Sequence, residues 1–263
     1  MDASELFRSG QLRAAIDIQT VKVKGHPNDQ AARLFLFELV LFSGDADRAR
    51  KQLDVLRYEK PEAVAAVESY RKALDAETSR RKVLAGNGGR PKFLKDCPPH
   101  ADLRFDALMK YFEGDQAAGD ALLDRANAEA PPVTGTLNGE PITGLRDADD
   151  LFGTILEVFA GQEYFWVPLD QIESLTMNPV QTPRDVLWRP ANLSLRDGPQ
   201  GDVLLPGLYP NSHLHPDEGV ALGRVTDWPS EEGRPIRGAG SRLFMAGEKW
   251  ISLSDWREWT TAG

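Results

Sequence analysis

The chain has 263 residues, with 31 Lys and Arg against 40 Asp and Glu, for a formal net charge of −9. That balance excludes bulk binding to nucleic acid or anionic lipid, both of which rely on clustered positive charge, and leaves proteins and small molecules as partners. A single cysteine, Cys97, excludes an internal disulfide framework, and 41% hydrophobic residues suit a globular chain long enough for two domains.

The opening stretch, MDASELFRSG, lacks the basic and apolar pattern of a signal peptide, and no apolar run approaches a membrane span. The expectation is a cytoplasmic protein. LFRSGQLRAAIDI at 6–18 is echoed by LFSGDADRARKQL at 41–53. Gly10 and Gly44 lie 34 residues apart, as do Ala15 and Ala49, and Pro27 and Pro61. A third copy starts at Gly114, with Gly119 as its small residue and Pro131 following at the same interval of 17 residues. This period predicts tetratricopeptide-like helical hairpins: Gly at the turn, a small residue where two helices touch, and Pro ending the second helix.

Apolar spacing supports the hairpins. Leu12, Ala15, Ile16 and Val23 fall on one helical face, with Gln19 among them. LFLFELVLF at 34–42 is apolar almost all round, as in a helix packed on several sides. A long helix is predicted over about 62–85, with Val64, Val67, Tyr70 and Leu74 as its stripe, followed by a loop to residue 100. Phe105, Leu108, Met109 and Phe112 form the next stripe. Such hairpins act either as a plain scaffold or as a groove for a partner helix or peptide.

After Pro131 the texture changes. All six Trp residues lie beyond it, and short apolar runs alternate with turns. A helix is predicted over about 148–160, with Asp147 as N-cap, Asp149 and Asp150 in its first turn and Gly161 as its stop. Strands are expected in EYFWVPL, IESLTM, DVLWRP, GDVLLPGLY and ALGRVTDW, with a hairpin in RLFMAGEKWISL and the tail DWREW folding back. The fold class is multidomain α+β: helical repeats over 1–131, then a mixed α+β domain rich in short strands over 132–263.

Several clusters carry candidate chemistry. DADD at 147–150 offers carboxylates to a divalent cation or caps to a helix. His213 and His215, in NSHLHP, would share one face of a strand and could hold a metal, or they sit in a polar loop. GNGGRPK at 86–92 is rich in Gly but lacks the spacing of a phosphate loop. Cys97 and His100 are a conceivable nucleophile and base with nothing to orient them. The stretch 224–242 is dense in Arg and Gly around Trp228, which is either an interface anchor or a buried ring.

Taken in order, GTLNGE (135–140), DADDLFGTILEVFAGQEYFWVP (147–168), TPRDVLWRPANLSL (182–195), LLPGLYP (204–210), LGRVTDW (222–228) and GAGSRLF (238–244) resemble the ImpE family, also called TagJ or SciE, of type VI secretion gene clusters. RLFLFELVLFSGDADRARKQLDVL (33–56) and YRKALDAETSRRKVLAG (70–86) fit the same pattern, so the resemblance spans nearly the whole chain. The family's aromatic-rich stretch before DAD, and its Arg and Pro after it, are replaced here by Ile142, Gly144, Leu151 and Thr154. The resemblance implies a non-enzymatic accessory protein without a cofactor. It would bind the small subunit of the contractile sheath through an amphipathic N-terminal helix of that subunit, and indirectly affect sheath recycling by an AAA+ ATPase. Candidate contacts are Arg33, Glu38, Arg48 and Arg50 beside the repeats, and Trp228 and Arg242 in the second half. The alternatives are a metal-dependent hydrolase using Asp147, Asp149, His213 and His215, and a general peptide-binding co-chaperone.

Overall fold

A computed structural model describes residues 1–229 and 235–262. Seven helices come first: α1 (Ala3–Arg8), α2 (Leu12–Gly25), α3 (Gln30–Phe42), α4 (Ala46–Asp54), α5 (Pro61–Leu84), α6 (Pro99–Glu113) and α7 (Gln116–Glu129). Their pairing follows the repeat. Gly10, Gly44 and Gly114 sit at the three hairpin turns with φ of 87°, 75° and 80°, a region that resists any residue with a Cβ. Asp29, Asp45 and Asp115 then accept from the backbone N–H groups of Ala32, Arg48 and Ala118, capping the helix that follows each one. Ala15 and Ala49 are fully buried at the helix contacts, and a Cβ on Gly119 would collide with the Tyr111 ring.

One repeat position works differently from expectation. Pro61 does not end α4, which stops at Asp54; it opens α5. Proline is tolerated at a first turn because its missing N–H has no partner there.

The strands are β1 (Thr134–Leu137), β2 (Glu140–Thr143), β3 (Leu145–Asp147), β4 (Ile155–Ala160), β5 (Glu163–Pro168), β6 (Ile172–Met177), β7 (Trp188–Leu195), β8 (Gln200–Pro206), β9 (Thr226–Asp227), β10 (Ala239–Gly240), β11 (Leu243–Ala246), β12 (Lys249–Ser252) and β13 (Glu258–Thr261). Two short helices, α8 (Arg184–Leu187) and α9 (Glu218–Ala221), interrupt them. Eight strands form one sheet in the order β2-β1-β13-β6-β7-β8-β4-β5, and β12-β11-β3 form a second. The tail does fold back, and β13 lies in the interior of the large sheet between β1 and β6.

The predicted helix over 148–160 is absent. Residues 148–154 form a turn, and Ile155–Ala160 is β4, paired with β5 from Ile155–Pro168 to Ala160–Glu163. ILEVFA is buried at five of its six positions, so it carries no periodicity to separate a helix from a central strand. Gly153, at φ 48°, breaks any helix there, and the Arg104 guanidinium occupies the place of its Cβ. Gly161, at φ 61°, serves as the turn of the β4–β5 hairpin. The expected strands in DVLWRP and ALGRVTDW are partly helical: α8 precedes β7, and α9 precedes β9.

The molecule is layered. One apolar cluster joins Phe37, Phe42, Leu74 and Phe105 of the helices to Phe152, Ile155, Phe159, Trp166 and Trp188. A second joins Val158, Leu175, Leu193 and Trp259 of the large sheet to Phe244 and Ile251 of the small one. Helices thus pack on one face of the large sheet at its β4–β5 end, and the small sheet packs on the other face.

Candidate functional site

Across the helix–sheet junction runs a chain of buried charges. Arg80 on α5 donates to Glu157 on β4 through two bonds, Nε to Oε1 at 2.8 Å and Nη2 to Oε2 at 2.9 Å, and also to the Leu208 carbonyl at 2.9 Å. Glu157 further accepts from the Tyr164 hydroxyl at 2.5 Å and from Arg242. Arg242 reaches on to Asp147 Oδ2 at 2.7 Å, and Tyr209 donates to Asp147 Oδ1 at 2.8 Å. The Arg242 guanidinium also lies over the Phe152 and Tyr209 rings, at 4.7 and 5.1 Å.

The two carboxylates respond differently. Burial opposes ionisation of Glu157, but the Arg80 and Arg242 guanidiniums more than offset it and hold the carboxyl at about 2. Burial dominates at Asp147, where Arg242 only partly compensates, and the carboxyl is pushed up to about 7.

The other DADD carboxylates are likewise engaged within the chain. Asp149 accepts from Arg237 Nε, the Gly238 N–H and the Leu151 N–H, at 2.9–3.0 Å. Asp150 accepts from the Ile236 N–H at 2.7 Å and from Arg146 at 3.2 Å. These acids cap a turn and tie it to residues 236–238; the expected helix N-terminus is not there. Nor do they meet the histidines. His213 lies on a short 3₁₀ turn against Gly44, and burial, then Arg81, lowers its pKa. His215 instead faces Asp227 at 3.0 Å. Among the described residues no three His, Cys, Asp or Glu side chains converge as a metal site. The ligand set of the hydrolase alternative is therefore not assembled.

Cys97 and His100 are not paired either. Burial, and then Asp102, push the Cys97 thiol up to about 11. His100 is buried, 3.4 Å from both Thr154 and Asp170.

The six candidate contact residues divide into three kinds. Arg33, Arg48 and Arg50 lace neighbouring helices together, bonding Gln52 at 3.0 Å, Thr20 at 2.6 Å and Asp75 at 2.5 Å. Glu38 and Arg242 are buried, with their side chains engaged inside the molecule. Glu38 pairs with Arg184, whose guanidinium lies over the Tyr70 ring at 4.4 Å. Trp228 is half-buried between Tyr209 and Trp250, with centroids 5.6 and 5.8 Å away, and Trp250 is 54% exposed.

Sequence reasoning missed one open feature of the surface. Where α5 leaves the large sheet, a groove of about 380 Å³ opens, lined by Tyr70, Lys72, Phe159, Arg184, Trp188 and Asp202 among others. The motif TPRDVLWRP supplies Arg184 and Trp188, but its closeness to α5 is a long-range fact with no local signal.

Comparison with known proteins agrees with this organisation. The profile of the family described as ImpE protein matches residues 139–260. A curated relative from Pseudomonas aeruginosa, the type VI secretion system accessory component TagJ, is 34% identical over 258 residues, covering 98% of this chain and 90% of the relative. A crystal structure of a protein from Vibrio parahaemolyticus superposes with a TM-score of 0.88 over 99% of this chain and 97% of the other. At 21% identity, that likeness speaks for the fold alone.

Proposed function

The chain belongs to the ImpE family of type VI secretion accessory components, the family of TagJ, and from that premise we propose that it is a non-enzymatic adaptor for the small subunit of the contractile sheath. The observation that carries this reading is identity sustained over almost the whole length of an accessory component, across both the helical and the strand-rich halves. The site chemistry supports it. Asp147 and Asp149, the carboxylates of the hydrolase alternative, and the neighbouring Glu157 are each tied to an arginine of the same chain.

In this reading the sheath subunit offers an amphipathic N-terminal helix. The paired helices and the open groove beside α5 suit a helix laid in a groove. Any influence on the sheath-recycling AAA+ ATPase is indirect, through occupancy of the shared sheath subunit. The place of action is the cytoplasm; among the described residues no helix is long and apolar enough to cross a membrane. The helical part to residue 131 and the strand-rich part from 132 act together, because one apolar cluster spans them.

Calorimetric titration of the full chain with a peptide covering the N-terminal region of the small sheath subunit from the same gene cluster tests the proposal. Saturable one-site binding is expected. No heat at high micromolar peptide, with no change in fluorescence anisotropy of the labelled peptide, overturns it.

A further inference from the structure

Arg189, the second residue of β7, is 4% exposed. Strand pairing places it. Arg189 lies opposite Leu205 of β8 and two residues along β7 from Ala191, so all three point to the face that packs on the small sheet. Ala191 pairs with Met177 of β6, and the Met177 N–H donates to the Arg257 carbonyl at 2.7 Å. The register of β6 with β13, Thr176 opposite Glu258, puts Arg257 opposite Met177. Arg189 and Arg257 therefore share one face, at the end of the sheet where β6 stops and β7 and β13 begin.

The other buried arginines all have acceptors. Arg80 meets Glu77 and Glu157, Arg242 meets Asp147 and Glu157, and Arg104 donates to the Asp150 carbonyl and the Asn127 amide. Among the described residues nothing accepts from the Arg189 side chain; its Nε is buried outright, whereas its terminal nitrogens are not wholly covered. Asp185 is the acid that acts on it, but Asp185 Oδ2 already accepts from the Gln181 and Thr182 N–H groups, at 2.9 and 2.8 Å. Burial, and then the like charge of Arg257, lower the Arg189 pKa. Arg257 is exposed and donates through Nη1 to the Ser254 and Trp256 carbonyls, which leaves Nε and Nη2 unengaged among the described residues. A buried cation without a partner is strongly unfavourable. Here two neighbouring arginines lack an acid in a chain whose net charge is −9.

We infer that Arg189 and Arg257 form a binding site for a small dianionic oxyanion, of the phosphate or dicarboxylate class. A guanidinium presents a planar fork of N–H groups that fits two oxygens of such an ion. Arg189 holds the ion from the protein side through its terminal nitrogens, and Arg257 closes on it from the solvent side through Nε and Nη2. The ion supplies the acceptors that the chain does not, and its two charges balance the two cations. The opening at Arg189 is small, which suits a single oxyanion group over an extended surface. The site is separate from the network of Arg80, Glu157, Arg242 and Asp147, and it does not depend on the adaptor reading.

The test is calorimetric titration and thermal melting of the full chain with sodium phosphate and, separately, sodium succinate. Chloride holds the ionic strength constant, so that screening is equal throughout. Saturable binding of at least one ion is expected, with a rise in melting temperature of about 3 °C at roughly ten times its dissociation constant. Preference for phosphate or succinate tells a tetrahedral ligand from a planar one. Arg257→Ser, at an exposed side chain, is expected to weaken binding at least about tenfold, the loss of one charge-assisted hydrogen bond. Arg189→Met is expected to abolish it. Arg125→Ser, which removes an exposed arginine of α7, is expected to bind within about twofold of the unaltered chain. Melts in chloride alone check that each variant folds, and Arg257→Ser decides by itself if Arg189→Met does not. Absence of a saturable response to both ions overturns the inference. So does a response that Arg257→Ser leaves at full strength, because that is a general effect of salt.

Discussion

The helical repeats and the helix–sheet junction both use arginines to hold elements together, yet they do so in opposite surroundings. Among the repeats, Arg50 meets Asp75 and Arg71 meets Asp54 at the surface, with side chains a third to a half exposed. At the junction, Arg80, Glu157, Arg242 and Asp147 are almost fully withdrawn from water. A surface pair contributes about 0–1 kcal/mol, since water and salt screen it. A buried pair adds little net stability over an apolar replacement, but breaking it by removing one partner costs roughly 3–5 kcal/mol. The repeats are thus held by apolar packing with polar lacing, whereas the junction is held in register by a network that tolerates little change.

The largest expected effect follows from that contrast. Arg242→Leu leaves Asp147 with only the Tyr209 hydroxyl and the Asp149 N–H, and strips one of two cations from Glu157. Denaturant unfolding is expected to show a loss of about 3–5 kcal/mol. A loss below about 1 kcal/mol would erase the distinction between junction and surface.

The same network makes a pH signature. Asp147 titrates near 7 in the fold, against an ordinary 3.8, so the folded state retains a proton that the unfolded chain has released. Its contribution is complete below about 4 and declines as pH rises towards 7. Glu157 titrates near 2 against an ordinary 4.5, so its contribution is complete above about 4.5 and disappears as pH falls through 2. Each amounts to a few kcal/mol, at about 1.4 kcal/mol per pH unit. The two together favour a stability maximum near pH 4–5. Asp147→Asn is expected to flatten the decline between pH 4 and 7 while leaving the acid limb in place. Melting temperatures measured from pH 3 to 8 check this, and an unchanged neutral limb counts against it.

How much of this was legible in the sequence depended on the range of the cause. Gly10, Gly44 and Gly114 could be read because a hairpin turn needs a positive φ wherever the rest of the chain goes. IESLTM, at β6, could be read for a similar local reason, since Leu175 and Met177 are buried with Thr176 exposed between them. β4 was misread because a fully buried strand and a buried helix share one pattern, and only its pairing with β5 decides between them. The DADD acids invited a cap or a metal because their partners, Arg237 and Arg242, lie 88 and 95 residues away. Arg242 and Glu38 drew attention as charged residues in distinctive motifs, and they matter for the inside of the molecule. The groove depends on which strands α5 leaves uncovered, and that strand order crosses the chain several times.

The smallest effect closes the comparison from the other side. Arg50→Ala removes a 2.5 Å pair between α4 and α5, shorter than most of the bonds in the buried network. Distance alone would rank it among the strongest interactions in the molecule. Its partner Asp75 is 49% exposed, however, and is rehydrated as soon as the arginine is gone. No charge is left stranded, which is the step that makes Arg242→Leu costly. The expected loss is under about 1 kcal/mol, and the residual effect should shrink further when salt is raised from 0.1 to about 1 M, where screening acts within roughly 3 Å. Unfolding of this variant at both salt concentrations separates the two accounts. A loss comparable to that of Arg242→Leu, insensitive to salt, would mean that the repeat lacing is structural in the same sense as the junction.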